Sequence, residues 1–487
     1  RASGDARKRL VLPKAERMAD DALGLADDDL DRVDALEALA EAFFDDYKGD
    51  LAWRYFREAA ELRSRTAPPD GARVAYLAVR GCEVPLRWPG SIRGALVPES
   101  EVRALSELGL SAAPPGDSGE RVRLLGLRAG WAFAYPSASW SEAEAEELEV
   151  IGQEAAEMAL RLGEPNLASG ALDQAGGGWV SAGWYGRSMP IWERRAALIP
   201  RVTDVLEIGD SWAMGAWHLF ELARYRSSVD VADAGLMQIA GRGLASDLHI
   251  RSWRLVALHR LGEWDEALRE LDRMRGLLGD RRDDPPSFAS HAFAAAAAIH
   301  ESRGDRVESD ALAGSLLRLG SGTHGRLHPW LLRLLIQRGE VDVAERLVLG
   351  PTWRVHAGDV YEGRSELLSV RRAWDEVPEM LETMRRHAAG AGTPSVAVFA
   401  DRLEGRAALA KGDAAPAIDS LERAVRGFGE LAAVWERAVT QVDLAGAFRA
   451  VGRDREAEAA AASAAATFEE LGSIRELARA RGLAGPT

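Results

Sequence analysis

Residues 250–277 read IRSWRLVALHRLGEWDEALRELDRMRGL. Trp253, Val256, Ala257 and Leu261 recur at helical spacing, and Leu268, Leu271 and Met274 resume that spacing after Gly262-Glu263-Trp264-Asp265-Glu266-Ala267. A glycine inside a continuous helix costs about 1 kcal/mol, so the pattern predicts two antiparallel helices with a tight turn at Gly262. On this reading Ala267 is small because the helices approach closely there, and Trp264 plugs the gap at the turn.

The same unit returns along the chain. Its turn positions are Gly183, Ala223, Gly262, Gly304, Gly339, Arg372, Gly412 and Gly452, in steps of 33 to 42 residues. A small residue stands five places later in most units: Ser188, Ser228, Ala267, Ser309, Ala344, Ala417 and Ala457. Hairpins of this size cannot bury their apolar faces alone and must stack on one another. The expected fold is therefore all-α, a right-handed superhelical solenoid of antiparallel helix hairpins. Before the regular part, Lys48-Gly49-Asp50-Leu51-Ala52-Trp53, followed by Tyr55, Phe56 and Ala59, is the best unit. Two regions are expected: degenerate helical repeats over 1–118, and a regular array over 119–487. The alanine-dense segment Arg455–Leu471 reads as a capping helix. Pro68-Pro69-Asp70-Gly71, residues 113–119 and residues 280–287 read as loops.

The Gly-x-[Trp/Tyr]-x-x-Ala phrase between amphipathic helices resembles the tetratricopeptide repeat over roughly residues 165–487. Two longer phrases are similar to something narrower. One runs from Glu193-Arg194-Arg195 through Thr203-Asp204 to Ala213-Met214-Gly215-Ala216-Trp217, and the other from Leu278 through Pro285-Pro286 to Phe288-Ala289-Ser290-His291. Both resemble the C-terminal array of bacterial class III adenylate/guanylate cyclase–ATPase signalling proteins and related regulators. That resemblance implies a cytoplasmic sensor or scaffold region that follows catalytic domains, and the start at Arg1 agrees with an expectation of further chain upstream. The alternative is a free-standing adaptor that clamps a peptide.

Composition narrows the chemistry. The 487 residues carry 61 Lys+Arg against 76 Asp+Glu, a formal charge of −15, which argues against a nucleic-acid surface. Only Lys8, Lys14, Lys48 and Lys411 occur, and none opens a Lys-Ser or Lys-Thr pair, so a P-loop is absent. The single cysteine, Cys82, excludes an internal disulfide framework and reads as a buried thiol in a reducing compartment. No apolar run approaches the roughly 20 residues of a membrane span. His324 and His328 lack a following carboxylate in zincin spacing, His300-Glu301 lacks a second histidine, and no G-x-S-x-G elbow occurs. Neither a catalytic group, a cofactor nor a metal is expected, and the partner is a protein, a peptide or a small-molecule effector.

Counting back from each turn along the first helices gives the residues expected on the concave surface: Asp210, Trp217, Phe220, His249, His259, His291, Glu301, Arg326 and Arg333. Concave repeat surfaces are common binding sites, and an aromatic pair flanked by histidines and carboxylates suits a peptide or a small ligand.

Overall fold

The computed structural model describes residues 12–484 except 47, 89–90, 93–95, 136–140, 241, 243, 283–284, 321–328 and 347–355. Among the described residues every regular element is helical, and none of these helices is long and apolar enough to cross a membrane. Contacts divide the chain into two compact units, residues 1–182 with 191–203, and residues 183–190 with 204–487. The boundary expected at 118–119 follows the loop at 113–119 and falls within the first unit.

In the first unit the helices Asp29–Asp45, Gly49–Arg65, Gly71–Arg87, Glu99–Ala112 and Gly119–Ala129 surround an apolar core. Leu36, Phe56, Leu77, Cys82, Leu105 and Leu124 fill it. Cys82 is buried there, and desolvation pushes its thiol well above the ordinary range, so it behaves as a small apolar side chain.

The second unit is a run of helix hairpins. Val205–Glu221 pairs with Tyr225–Ile239, Leu244–Arg260 with Trp264–Leu278, and Ser290–Ser302 with Arg306–Gly320. Pro329–Arg338 then pairs with Val341–Arg346, Pro394–Lys411 with Ala414–Glu430, and Val434–Ala450 with Asp454–Leu471. Ala357–Arg371 and Val377–Ala391 form the remaining hairpin, and Ile474–Ala484 closes the series. Each first helix also meets the next first helix, as Leu244–Arg260 meets Ser290–Ser302. This is the all-α hairpin array that the spacing predicts.

The turns explain why the sequence folds this way. All eight expected turn residues have left-handed backbone, including the non-glycines Ala223 and Arg372, both at φ 56°. One residue later the backbone N–H reaches back across the helix end. Glu263 donates to Leu258 O at 2.9 Å, Asp305 to His300 O at 2.9 Å and Asp413 to Ala408 O at 3.0 Å. These bonds satisfy carbonyls that would otherwise be orphaned at a helix terminus. The small residues five places on are all buried, from Ser188 to Ala457. Where serine replaces alanine, its hydroxyl is satisfied locally: Ser228 Oγ donates to Ala216 O at 2.7 Å and Ser309 Oγ to Ala297 O at 2.9 Å. Trp264 is buried at its turn, with Nε1 donating to His259 O at 3.2 Å. Within Asp454–Leu471 the buried residues are Ala457, Ala461, Ala464, Phe468 and Leu471, one apolar stripe on an otherwise exposed helix.

The second unit also has a finer period. Arg372, Gly392, Gly412, Ala432, Gly452 and Gly472 are all left-handed, one every 20 residues. The connections at Gly392, Gly412, Ala432, Gly452 and Gly472, within hairpins and between them, are therefore built the same way, whereas after Arg372 the next helix starts only at Val377.

Candidate functional site

The first helices of the second unit place a ladder of arginines and carboxylates inside it. Arg260 is 2% exposed and reaches Asp359 at 3.1 Å, Glu436 at 3.3 Å and Glu362. Arg333 pairs with Glu362 at 3.2 Å and with Glu436. Arg402 pairs with Glu436 at 2.8 Å and with Glu366, and Arg406 with Glu366 at 2.9 Å and Asp443 at 2.6 Å. Arg479 completes the run on Asp443 at 2.8 Å. Burial alone would push Glu436 upward, but Arg333, Arg402 and Arg260 overcome it and hold the carboxyl far below its usual range. Buried arginine suits this work because its planar fork can serve two carboxylates at once.

The ladder draws distant hairpins together. Arg260 and Glu436 lie 176 residues apart in sequence. Arg303 Nε donates to Leu471 O at 3.0 Å, and Arg475 donates to Gln337 O at 2.6 Å. The inner side of this unit is thus drawn together, and it holds a cavity of about 630 Å³. Its walls carry the aromatic rings of Trp264, Trp330, Trp374 and Trp435, together with His259. Arg333, Arg372, Arg406, Arg475 and Arg479 line it against the carboxylates Glu366, Asp443 and Glu476. Neither Arg372 nor Arg475 has a carboxylate partner among the described residues. An acidic chain therefore holds a cavity lined by more cations than anions.

Of the residues expected on the concave surface, two line this cavity, three more are buried beside it, and Asp210, His249 and Glu301 are half-buried. His259 and Arg333 line the cavity. His259 stands edge-on to Trp330, with ring centroids 4.8 Å apart, and burial and then the charges of Arg260 and Arg333 hold its imidazole well below the usual range. Its buried Nδ1 has no hydrogen-bond partner among the described residues. Trp217 and Phe220 lie inside, 5% and 3% exposed. Trp217 stacks on Trp253 at 5.1 Å, and Trp253 stacks on the buried His291 at 4.0 Å. Phe220 meets Trp253 at 5.8 Å and Trp330 at 6.4 Å. His249, half-buried, meets Phe288 at 5.2 Å, with the charge of Asp210 close by. Glu301 is half-buried and held by Arg306 at 3.0 Å and Arg338 at 3.1 Å. Arg326, like His324 and His328, lies outside the described residues.

Most of the ladder escapes a reading of single motifs, yet it has a signal. Arg333, Glu366 and Arg406 each stand six residues before a left-handed turn, at Gly339, Arg372 and Gly412. Glu362 and Arg402 each stand ten residues before the turns at Arg372 and Gly412. Equivalent positions on successive hairpins thus alternate in charge, which a register of the repeats would expose.

No protein-family model and no curated protein sequence matches this chain. Among solved structures, the APC/C hetero-tetramer Cut9-Hcn1 is similar to it with a TM-score of 0.48 at 13% identity, over 100% of this chain and 93% of that chain.

Proposed function

We propose that this chain is a non-catalytic, tetratricopeptide-like binding region whose second unit takes a small anionic ligand with a flat apolar body. The observation that carries this reading is the composition of the cavity wall. Its volume falls within the usual range of small-molecule sites. Tryptophan rings offer stacking surface, and arginines without carboxylate partners offer charge to a carboxylate or phosphate. A cavity of this volume favours a compact effector over a long extended peptide. The phrases at 193–217 and 278–291 support the wider role, a sensor region of a larger cyclase–ATPase or transcription-regulator protein that relays ligand binding to its catalytic part.

Titrating the chain with aromatic carboxylates and nucleoside phosphates tests this, read by tryptophan fluorescence and thermal shift. Saturable quenching by members of this set is expected. Arg372→Glu combined with Arg475→Glu removes two exposed cations, and the loss of charge-assisted contacts weakens binding by about tenfold or more. A wild type that responds to no anion, or a double variant that binds as well as wild type, defeats the reading.

A further inference from the structure

We infer that Glu221, His356 and Asp359 form a site for a divalent transition-metal cation inside the second unit. Their ligand atoms lie within 4.8 Å of one another. Glu221 ends the helix Val205–Glu221, while His356 caps the helix Ala357–Arg371 and Asp359 sits in its first turn. The carboxylates are buried, 4% and 3% exposed. Glu221 Oε1 accepts from Trp217 Nε1 at 3.1 Å and faces His356 Nδ1 at 3.4 Å. Asp359 Oδ1 accepts from Arg260 at 3.1 Å, and Oδ2 accepts from Trp330 Nε1 at 3.0 Å.

Three features of this arrangement point to a cation. Glu221 is a buried carboxylate that no guanidinium or ammonium reaches at ion-pair distance among the described residues; its one such neighbour is His356. Arg260 acts on it only from beyond ion-pair distance, and its charge is shared with Asp359, Glu362 and Glu436, which it meets directly. Glu221 Oε2 accepts no hydrogen bond from a described residue. It faces Gly358, where a Cβ would stand 3.3 Å away, so the absence of a side chain there keeps the space beside this oxygen clear. The imidazole–carboxylate spacing of 3.4 Å is long for a charge-assisted hydrogen bond. It matches the edge of a tetrahedron whose bonds are roughly 2.1 Å, the length of zinc–nitrogen and zinc–oxygen bonds. The two indoles take the part of outer-shell donors, fixing the carboxylates from behind as such partners do at metal centres. One nitrogen and two oxygen ligands suit Zn²⁺, Co²⁺ or Mn²⁺ better than Mg²⁺, which prefers an all-oxygen, largely hydrated shell.

The test uses the full chain stripped with a chelator and titrated with Zn²⁺ or Co²⁺ by calorimetry, with visible absorption reporting the Co²⁺ environment. One ion per chain, a higher melting temperature and d–d bands of a low-coordinate Co²⁺ site are expected. His356→Ala should weaken binding at least about 100-fold, and Trp217→Phe, which keeps an aromatic ring there but removes an outer-shell donor, about tenfold. His300→Ala, at the half-buried histidine paired with Asp305, should leave it unchanged. Absence of saturable binding by wild type overturns the assignment. So does undiminished binding by His356→Ala, or loss of the ion in His300→Ala with retention in His356→Ala. If His356→Ala does not fold, the wild-type Co²⁺ spectrum decides, because a purely aquo-like spectrum excludes an imidazole ligand.

Discussion

In the first unit, Asp28, Asp70, Ser118 and Ser141 each cap the helix that follows by accepting one of its free backbone N–H groups. In the second unit the helices that start after Arg224, Glu263, Asp413, Ala433 and Arg453 have no such side-chain bond. There the preceding left-handed residue turns the backbone so sharply that one helix ends and the next begins within a few residues. Among the described residues of the first unit, only Gly116 and Gly163 have such a backbone. The interiors differ as well. The first unit has an apolar core, whereas the second runs an ionic ladder through its centre. All nine histidines also lie at residue 218 or later, within the second unit. From Arg372 to Gly472 the turns set by backbone conformation repeat every 20 residues, whereas the capped turns of the first unit follow loops of varying length.

The largest effect expected from this contrast is at the ladder. Glu436→Ala strands Arg260, Arg333 and Arg402 around a missing carboxylate, and breaking a buried pair in this way costs about 3–5 kcal/mol. Urea denaturation should show that loss, and an unchanged midpoint would mean that the ladder is not a structural element. Next is the hairpin contact: Ala267→Arg forces a charged chain into a fully buried position and should cost roughly 3 kcal/mol or more. A melting temperature equal to wild type would remove the repeat register.

A third prediction concerns pH. Burial lowers His387 from 6.5 to about 4. The unfolded chain therefore binds this proton more readily, and stability present above pH 6.5 is lost as pH falls toward 4. His387→Phe should recover on the order of 2 kcal/mol at pH 5 relative to wild type, each referenced to its own stability at pH 7. Parallel pH profiles for the two proteins would refute this. The smallest effects set the two kinds of turn against each other. Ala432 has φ 54°, so Ala432→Gly should stabilise by about 1 kcal/mol, while Ser141→Ala should destabilise by about 1 kcal/mol through loss of its capping box. Opposite signs in urea midpoints confirm the contrast, and a destabilising Ala432→Gly breaks it.

The hairpins of the second unit were legible because Gly262, Gly412 and their equivalents mark one phase and a small buried residue follows five places on. The intervening turns at Gly392, Ala432 and Gly472 were harder to see. Ala397, Arg437 and Leu477 stand five places after them, so no common small residue marks that phase. Of the candidate site, Arg333 and His259 were legible from helical phase. Trp217 and Phe220 share that phase, yet they lie inside, because the rings of Trp253 and Trp330 cover them.

The amino-acid sequence by itself determined the helices, the turns and the phase of the repeats, since these depend on local backbone preference and on apolar spacing within a few turns of helix. Tertiary structure decided which charged residues go inside and which of them meet. Arg260 finds Glu436 across 176 residues because the stacked hairpins bring Leu244–Arg260 and Val434–Ala450 together, a placement that no single stretch of sequence contains.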